Sequence, residues 1–339
     1  MNIKSLLLGS AVAAVAATGA RAADAIVIAE PEPMEYVRVC DTYGVGYFYI
    51  PGTETCLRIG GWLRYEIRKY NGVDGWDKRA RSRLEFNTRN ESELGTVAGY
   101  LRLEHSHDTG GVVGSAVNPY GVTMAENFQY SLGVGGLEMG YRDSTYTRWF
   151  GYGGFTDDGN VYGFNKNHYI SYTFAADGFT GFVSLDQDNN ADYMPDLAAG
   201  VGGTFGNVEA LATIGYDESL ESVALRGKLT APLGPVNVRL AAFYASKANN
   251  RYWSYATSTP TGINGWAEWS VLAGIQAPLT EKFSVAADAQ YFDGGDWRFV
   301  GNVNYQIASG LSALLEVTHA ERRYGADQTA GMLRFQRSF

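Results

Sequence analysis

The strongest constraint on this chain is an alternation of apolar and polar residues, with a period of two, that recurs from residue 57 to the C-terminus. Successive side chains of a β-strand point to opposite faces, so each segment of this kind predicts a strand with one apolar and one polar face. Its first instance covers residues 57–68. A dozen residues is long for a strand of a soluble sandwich but suits a strand that crosses a bilayer at a tilt.

The same pattern returns in four further segments: 79–89, 95–105, 283–291 and 298–307. The polar face carries full charges and amides, and neither face is apolar enough to predict two sheets packed against each other. Beyond residue 22 the sequence has no run of 18 apolar residues, so it predicts no transmembrane helix. These features together favour a membrane-spanning β-barrel.

The N-terminus has the form of a secretory leader. Lys4 gives a short basic region, residues 6–17 are apolar but too short to span a bilayer, and Ala20-Arg21-Ala22 has the A-x-A form of a cleavage site. We therefore predict that residues 1–22 are a signal peptide, with cleavage between Ala22 and Ala23. The chain is expected to be exported.

Turns and loops alternate in length along the chain. Seven short turns are predicted at 90–94, 133–136, 175–178, 206–207, 231–235, 278–281 and 308–310. Eight mostly longer loops are predicted at 69–78, 108–122, 143–166, 187–196, 217–221, 246–265, 293–296 and 320–329. This asymmetry predicts an all-β fold, a 16-stranded antiparallel transmembrane β-barrel over residues 57–339, with short periplasmic turns and longer extracellular loops.

The two cysteines of the chain, Cys40 and Cys56, are predicted to form one disulfide, because an exported protein meets an oxidising compartment. They close a hairpin in residues 23–56, which we predict to be an N-terminal segment on the periplasmic side. Their spacing is not that of a redox motif, and no His lies near them. The disulfide is expected to be structural.

A resemblance to a known family appears in residues 37–67, VRVCDTYGVGYFYIPGTETCLRIGGWLRYEI, which follow the leader and the segment ADAIV. This region closely resembles the start of alphaproteobacterial general porins. Phe339 also resembles the C-terminal assembly signal of outer-membrane proteins, although Arg337 replaces the apolar residue that is usual two positions before the end.

The resemblance implies a porin of the bacterial outer membrane that is a homotrimer with its third loop folded into the channel. It implies passive diffusion of small hydrophilic solutes and ions through a water-filled lumen. It also implies contact with outer-membrane lipid, lipopolysaccharide and the barrel-assembly machinery.

Four arginines on the first three strands are predicted to point into the lumen at similar depth: Arg64, Arg81, Arg83 and Arg102. Rings of charge set the selectivity of such channels, so we predict that they form the basic wall of a constriction. The alternative is that they pair with carboxylates and line a wide vestibule.

Acidic partners are predicted on the same wall and in the loop 143–166. They are Glu66, Glu85 and Glu104 on the wall, and Asp143, Asp157 and Asp158 in the loop. If the loop folds inward, its acids would face the arginines across a narrow opening; Asp157-Asp158-Gly159 is an equally good exposed turn. The arginines favour anions and the formal net charge of −9 favours cations, so both preferences stay open.

Other functions have weaker signals. Loop aromatics could stack on sugars in a solute-specific channel: Tyr146, Trp149, Phe150, Tyr252, Trp253 and Tyr255. His105 and His107 are the only suggestive pair for a barrel hydrolase or a metal site, and no third ligand is evident. An acidic chain is not suited to nucleic acid. We predict no enzyme activity, no metal and no cofactor.

Overall fold

The computed structural model describes residues 38–72, 74–108, 123–157, 166–188, 194–252 and 267–339. Residues 39–339 form one compact unit, and the preceding unit, Met1–Arg38, lies outside the described residues apart from Arg38. The predicted cleavage site at Ala22 and Ala23 therefore falls outside them too. None of the helices in the described part of the chain has the length and hydropathy needed to cross a bilayer.

The described chain is almost entirely β-structure. Its strands are β1 (Phe48–Tyr49), β2 (Cys56–Tyr70), β3 (Asp77–Asn90), β4 (Val97–Asp108), β5 (Thr123–Val134), β6 (Leu137–Asp143), β7 (Lys166–Ala176), β8 (Phe179–Asp186), β9 (Asp196–Phe205), β10 (Val208–Asp217), β11 (Ser222–Leu233), β12 (Val236–Ala245), β13 (Trp269–Pro278), β14 (Phe283–Phe292), β15 (Trp297–Ala308), β16 (Leu311–Glu321) and β17 (Gln328–Ser338). The helices are a 3₁₀ turn, Asp41–Tyr43, and one short α-helix, α1 (Thr145–Phe150).

Strands β2–β17 close into a barrel. Each pairs antiparallel with its neighbour in sequence, and β17 returns to pair with β2, from Ala330 opposite Tyr70 to Ser338 opposite Trp62. The predicted 16-stranded antiparallel barrel is confirmed. Closure removes the free edges that a sheet would otherwise expose, so every strand finds a partner for its backbone groups.

Side chains alternate across the barrel wall as the sequence pattern predicts. Outward side chains are apolar and open to the surroundings, with Leu63, Leu132 and Val183 exposed to 55%, 61% and 53%. Inward side chains are polar and covered, and Glu66 and Gln129 are 0% exposed. An apolar outer band with a polar interior is the pattern of a barrel in lipid.

The seven predicted short turns and eight predicted loops all fall between the observed strands. The turns lie at one end of the barrel and the loops at the other, because neighbouring strands are antiparallel. Five of the turns have only two residues. In one of them, Gly206–Asn207 between β9 and β10, Gly206 has φ +64, a left-handed conformation that glycine adopts without steric cost.

The predicted disulfide between Cys40 and Cys56 is confirmed. It closes a hairpin in which β1 pairs with the start of β2, and Tyr47 packs against both sulfur-bearing residues. The Tyr43 hydroxyl donates to Glu91 over 2.7 Å, which fixes the hairpin to the turn between β3 and β4. The hairpin therefore lies at the turn end of the barrel, beside β2 and β3.

Candidate functional site

The third loop, residues 144–165 between β6 and β7, is described for 144–157, and this described part lies inside the barrel. Ser144 begins α1 by accepting a hydrogen bond from the Thr147 amide over 3.3 Å. Tyr146 and Phe150 then insert between inward-facing aromatic and small side chains of the wall and are 0% exposed. The predicted inward fold of this loop is confirmed for its described part.

Basic side chains of the wall hold the loop's main chain after α1. Lys228 on β11 donates to the carbonyl oxygens of Phe150 and Tyr152. Arg239 on β12 donates to the carbonyl oxygen of Gly154 over 2.6 Å. This part of the loop has no regular secondary structure. Side-chain donors of the wall bind the carbonyl oxygens that a neighbouring strand would bind in a sheet.

An acidic clamp follows at Asp288 on β14. Its carboxylate accepts the Phe155 amide at 2.9 Å, the Thr156 amide at 2.7 Å and the Thr156 hydroxyl. Gly154 and Gly274 give it room, because a Cβ on either would lie 2.2 Å from a carboxylate oxygen. The clamp fixes the loop against β14.

The last described residue of the loop, Asp157, reaches the wall near the first strand. Its amide donates to Glu316 on β16 over 2.8 Å, and Arg334 on β17 donates to both of its carboxylate oxygens, at 2.8 and 2.6 Å. Burial alone would raise the pKa of Asp157, but the hydrogen bonds and charge of Arg334, with the charges of Arg64 and Arg68, hold it below the usual range.

The four predicted arginines lie on one continuous inner wall. Arg64 on β2 stands directly opposite Arg81 on β3 in the strand register, and Arg83 is opposite Trp62. Arg102 on β4 is opposite Glu85 on β3. The structure therefore brings these four arginines together on three adjacent strands.

The predicted wall acids bind these arginines directly. Glu104 pairs with both Arg81 and Arg83, and Glu85 pairs with Arg102 at 2.9 Å. Asp143, at the end of β6, is 3.3 Å from Arg102. The contacts are direct ion pairs and do not cross an opening.

Glu66 belongs to a second ion-pair network at the barrel's closure. It pairs with Arg68 and with Arg334, each at 2.7 Å, and with Arg64 at 3.6 Å. Since Arg334 also holds Asp157, this network joins the third loop to β2. Asp158 lies outside the described residues.

Trp62 was not singled out from the sequence, although the alternation places it on the polar face of β2. The guanidinium carbons of Arg64, Arg81 and Arg83 lie 4.3, 5.3 and 4.8 Å from the centre of its ring. Cation–π contact of this kind holds a guanidinium in place while its N–H edges stay available.

The residues that hold the loop were also missed: Arg334, Lys228, Arg239, Asp288 and Glu316. The same alternation marks them as inward-facing. Their partners are more than a hundred residues away for Asp288, Glu316 and Arg334, so the sequence gives no signal of which contact each would make.

The residues considered for other functions are placed elsewhere. Tyr146, Phe150 and Tyr252 are 0–1% exposed in packed clusters, so they offer no open ring face to a sugar. His105 lies on the outward face of β4 and is exposed, away from the lumen. Trp253 and Tyr255 lie outside the described residues.

Among the described residues, no group of three or more His, Cys, Asp or Glu side chains is arranged to hold a metal ion. Phe339 extends the last strand, since its amide donates to the Gly61 carbonyl oxygen over 3.1 Å. Its side chain is 55% exposed on the outward face.

A family model described as a porin subfamily matches residues 24–334. The chain belongs to this porin family. Two similar relatives are both named porin Omp2b, from Brucella suis and Brucella abortus. Each is 37% identical over 372 aligned residues, which cover 100% of this chain and 100% of the relative.

Solved structures resemble the porin in fold. The outer-membrane channel DcaP of Acinetobacter baumannii matches with a TM-score of 0.62 and 13% identity, covering 86% of this chain and 99% of its own. A triple mutant of Rhodopseudomonas blastica porin matches with a TM-score of 0.58 and 14% identity, covering 84% and 100%. The protein is an outer-membrane porin channel, and its relatives are named as channels and not as enzymes.

Proposed function

We propose that the porin passes small hydrophilic solutes and ions by diffusion through a constriction between the arginine wall and the third loop. The arginine wall is formed by Arg64, Arg81, Arg83 and Arg102, with Glu66, Glu85, Glu104 and Asp143 as its acidic partners. The observation that carries the proposal is the bond from Asp157 to Arg334, which brings the loop to the strand next to Arg64.

The loop's path supports a narrowing at this level. Its main chain is bound in turn by β11, β12, β14 and β16, and the carboxylate of Asp157 is bound by β17. The loop therefore covers much of the inner wall before it meets the arginine wall. Tyr152 is 49% exposed between these anchors. The pKa of its phenol is raised by burial and by the charge of Asp157, while the charges of Arg64, Arg83 and Arg334 act to lower it.

The physical basis of the function is the size of the barrel and the charge at its narrowest level. A barrel with about sixteen strands leaves an aqueous channel, whereas one with about eight is filled by side chains. Fixed charges in a narrow aqueous passage orient polar solutes and disfavour apolar ones. No step of such diffusion needs a cofactor or a substrate-specific pocket.

The test is a size-dependence measurement on the folded mature protein in liposomes. Swelling rates should fall smoothly as the sugars supplied become larger, with no saturation by any one sugar. Saturable uptake of one sugar would overturn general diffusion in favour of a solute-specific channel. Absence of swelling with a folded barrel would overturn the pore itself.

We further propose that the porin is a homotrimer that associates through the outward face of β3–β5. Ser82, His105 and Glu126 are aligned across these strands on that face, and His105 and Glu126 are exposed. Polar groups facing lipid are costly, so a protein partner is favoured there. A hollow of about 450 Å³ beside Ala80, Ser82 and His105 offers space for side chains of a second copy.

Chemical crosslinking in detergent tests the trimer. A ladder that ends at three copies, and that stops at one copy in a Ser82→Trp variant, is expected. A wild-type protein that stays monomeric would contradict it. We also propose that residues 1–22 are removed on export, that Phe339 is read by the assembly machinery, and that lipopolysaccharide surrounds the loop end.

A further inference from the structure

Around Trp62, the positive and negative side chains of the arginine wall differ in their exposure to the lumen. The side chains of Arg81 and Arg83 are 19% and 22% exposed, whereas that of Glu104, which they share, is 4% exposed. At the closure, Arg64 is 15% exposed and Glu66 is 0% exposed. A solute beside Arg64, Arg81 and Arg83 therefore meets guanidinium N–H groups, with Glu66 and Glu104 behind them. At Arg102 the order is reversed, because Glu85 is 28% exposed and Arg102 is 14% exposed.

The carboxylates are also more fully occupied than the guanidiniums. Glu66 alone is contacted by three arginines, Arg64, Arg68 and Arg334. A guanidinium carries five N–H donors, so arginines that share a carboxylate retain donors for another oxyanion. Asp157 of the third loop binds two nitrogens of Arg334, and its side chain stays 34% exposed.

The opposite side of the lumen adds positive charge. Lys228 and Arg239 donate to neutral carbonyl oxygens of the third loop and so keep their net charge. By contrast, the aspartates at the loop ends of the strands are hidden, with Asp186, Asp196 and Asp217 exposed to 0%, 1% and 5%.

Trp62 holds three partly exposed guanidiniums in place on the inner wall. All three lie over its ring at 4.3–5.3 Å, so their planes are held by the indole while their edges face water. Planar donor pairs at fixed positions suit tetrahedral and carboxylate oxyanions better than they suit chloride.

Resting on the constriction proposed above, we infer that this porin prefers anions and that Trp62 with Arg64, Arg81 and Arg83 forms a transient binding site for small oxyanions of the phosphate class. The site concentrates such anions at the narrow level and releases them to either side.

The experiment measures reversal potential in planar bilayers under a KCl gradient, with the mature wild-type protein. Its sign should report chloride as the more permeant ion. Inorganic phosphate added to one side should then reduce the chloride current saturably. A cation-selective reversal potential would overturn the inference and leave the channel intact, whereas no conductance from a folded barrel would overturn the proposed function instead.

Arg64→Gln is the informative variant, because Glu66 keeps Arg68 and Arg334 and no buried carboxylate is stranded. We expect the chloride-to-potassium permeability ratio to fall by up to about fivefold, the effect of one charge a few ångströms away in water. Phosphate inhibition should weaken in parallel.

Arg89→Gln is the matched control. Arg89 lies on β3 on the same face as Arg81 and Arg83 but at the turn end, opposite Cys56. The Arg89→Gln variant removes the same charge from the strand next to that of Arg64, and we expect phosphate inhibition to stay unchanged. Equal losses in Arg64→Gln and Arg89→Gln would overturn the local site. Undiminished phosphate inhibition in Arg64→Gln would overturn it as well.

Discussion

The charged side chains on β11–β16 and those on β2–β4 differ in what they bind. On β11, β12, β14 and β16, Lys228, Arg239, Asp288 and Glu316 bind the backbone of the third loop. On β2–β4 the arginines bind carboxylates of the wall and the ring of Trp62. The first set is a scaffold for the loop, and we propose that the second is a surface for solutes.

Solvent exposure separates the two walls in the same way. Asp288 and Lys228 are 4% and 8% exposed, because the loop covers them. The side chains of Arg81 and Arg83 are 19% and 22% exposed, although Glu104 and Trp62 contact them. We propose that the same residue types stabilise the loop where they are more covered and contact solutes where they are more exposed.

Removing the acidic clamp should have the largest effect. Asp288→Ala leaves the buried amides of Phe155 and Thr156 without an acceptor, at a cost of about 1–3 kcal/mol for each. We expect the loop to leave the wall and the single-channel current to become larger and noisier.

Asp293→Ala is the control for the clamp, because Asp293 carries the same charge in an exposed turn after β14. It should leave the current unchanged. A quiet, wild-type current in Asp288→Ala would show that the scaffold does not depend on this carboxylate.

Breaking the link between the two walls should have the next largest effect. Arg334→Gln removes the partner of Asp157, while Glu66 keeps Arg68. One positive charge is lost and one carboxylate is released, so the reversal potential should shift towards cations. Arg337→Gln, on the outward face of the same strand, should give no shift, and an equal shift in both variants would contradict the assignment.

The pH dependence of conductance tests the same bond between Arg334 and Asp157. Because Arg334 holds the pKa of Asp157 below its ordinary value of 3.8, the bond is fully formed above that pH and is lost only as the pH falls through the lowered pKa. Conductance should be constant from neutral pH into the acid range and change at pH below 3.8, with the change reduced in Asp157→Asn. A step near neutral pH that Asp157→Asn abolishes would contradict this sign.

Loss of the disulfide should have the smallest effect on the channel. The double variant Cys40→Ser and Cys56→Ser frees a hairpin at the turn end, with a local loss of about 3 kcal/mol in the chain-entropy model. We expect faster proteolysis of this hairpin and wild-type conductance. Reduced wild-type protein should behave alike, and a changed conductance would place the hairpin within the conducting path.

The barrel was predictable from the sequence because its determinants are local. Alternation assigns each side chain to a face, as at Leu63 outward and Arg64 inward, and turn length assigns each connection to an end. The neighbours of Arg64, Arg81, Arg83 and Arg102 then follow from the order of the strands. Closure adds β17 beside β2, which places Arg334 next to Glu66.

The loop contacts could not be predicted because they are not local. Asp288 and Phe155 are 133 positions apart, and Arg334 and Asp157 are 177 apart. Alternation marks Asp288 and Arg334 as inward-facing, but their partners depend on the path of an irregular loop through the lumen. The sequence of residues 143–166 shows no periodic pattern from which that path could be derived.

The most direct test of the central claim, that the third loop narrows the lumen opposite the arginine wall, uses Tyr152→Cys. Both native cysteines are paired, so the new thiol is the one that reacts with a charged methanethiosulfonate reagent. Tyr324→Cys, in the exposed loop after β16, is the control. The account predicts a large fall in single-channel conductance on labelling Tyr152→Cys and little change for the control. Unchanged conductance after complete labelling of Tyr152→Cys would contradict it.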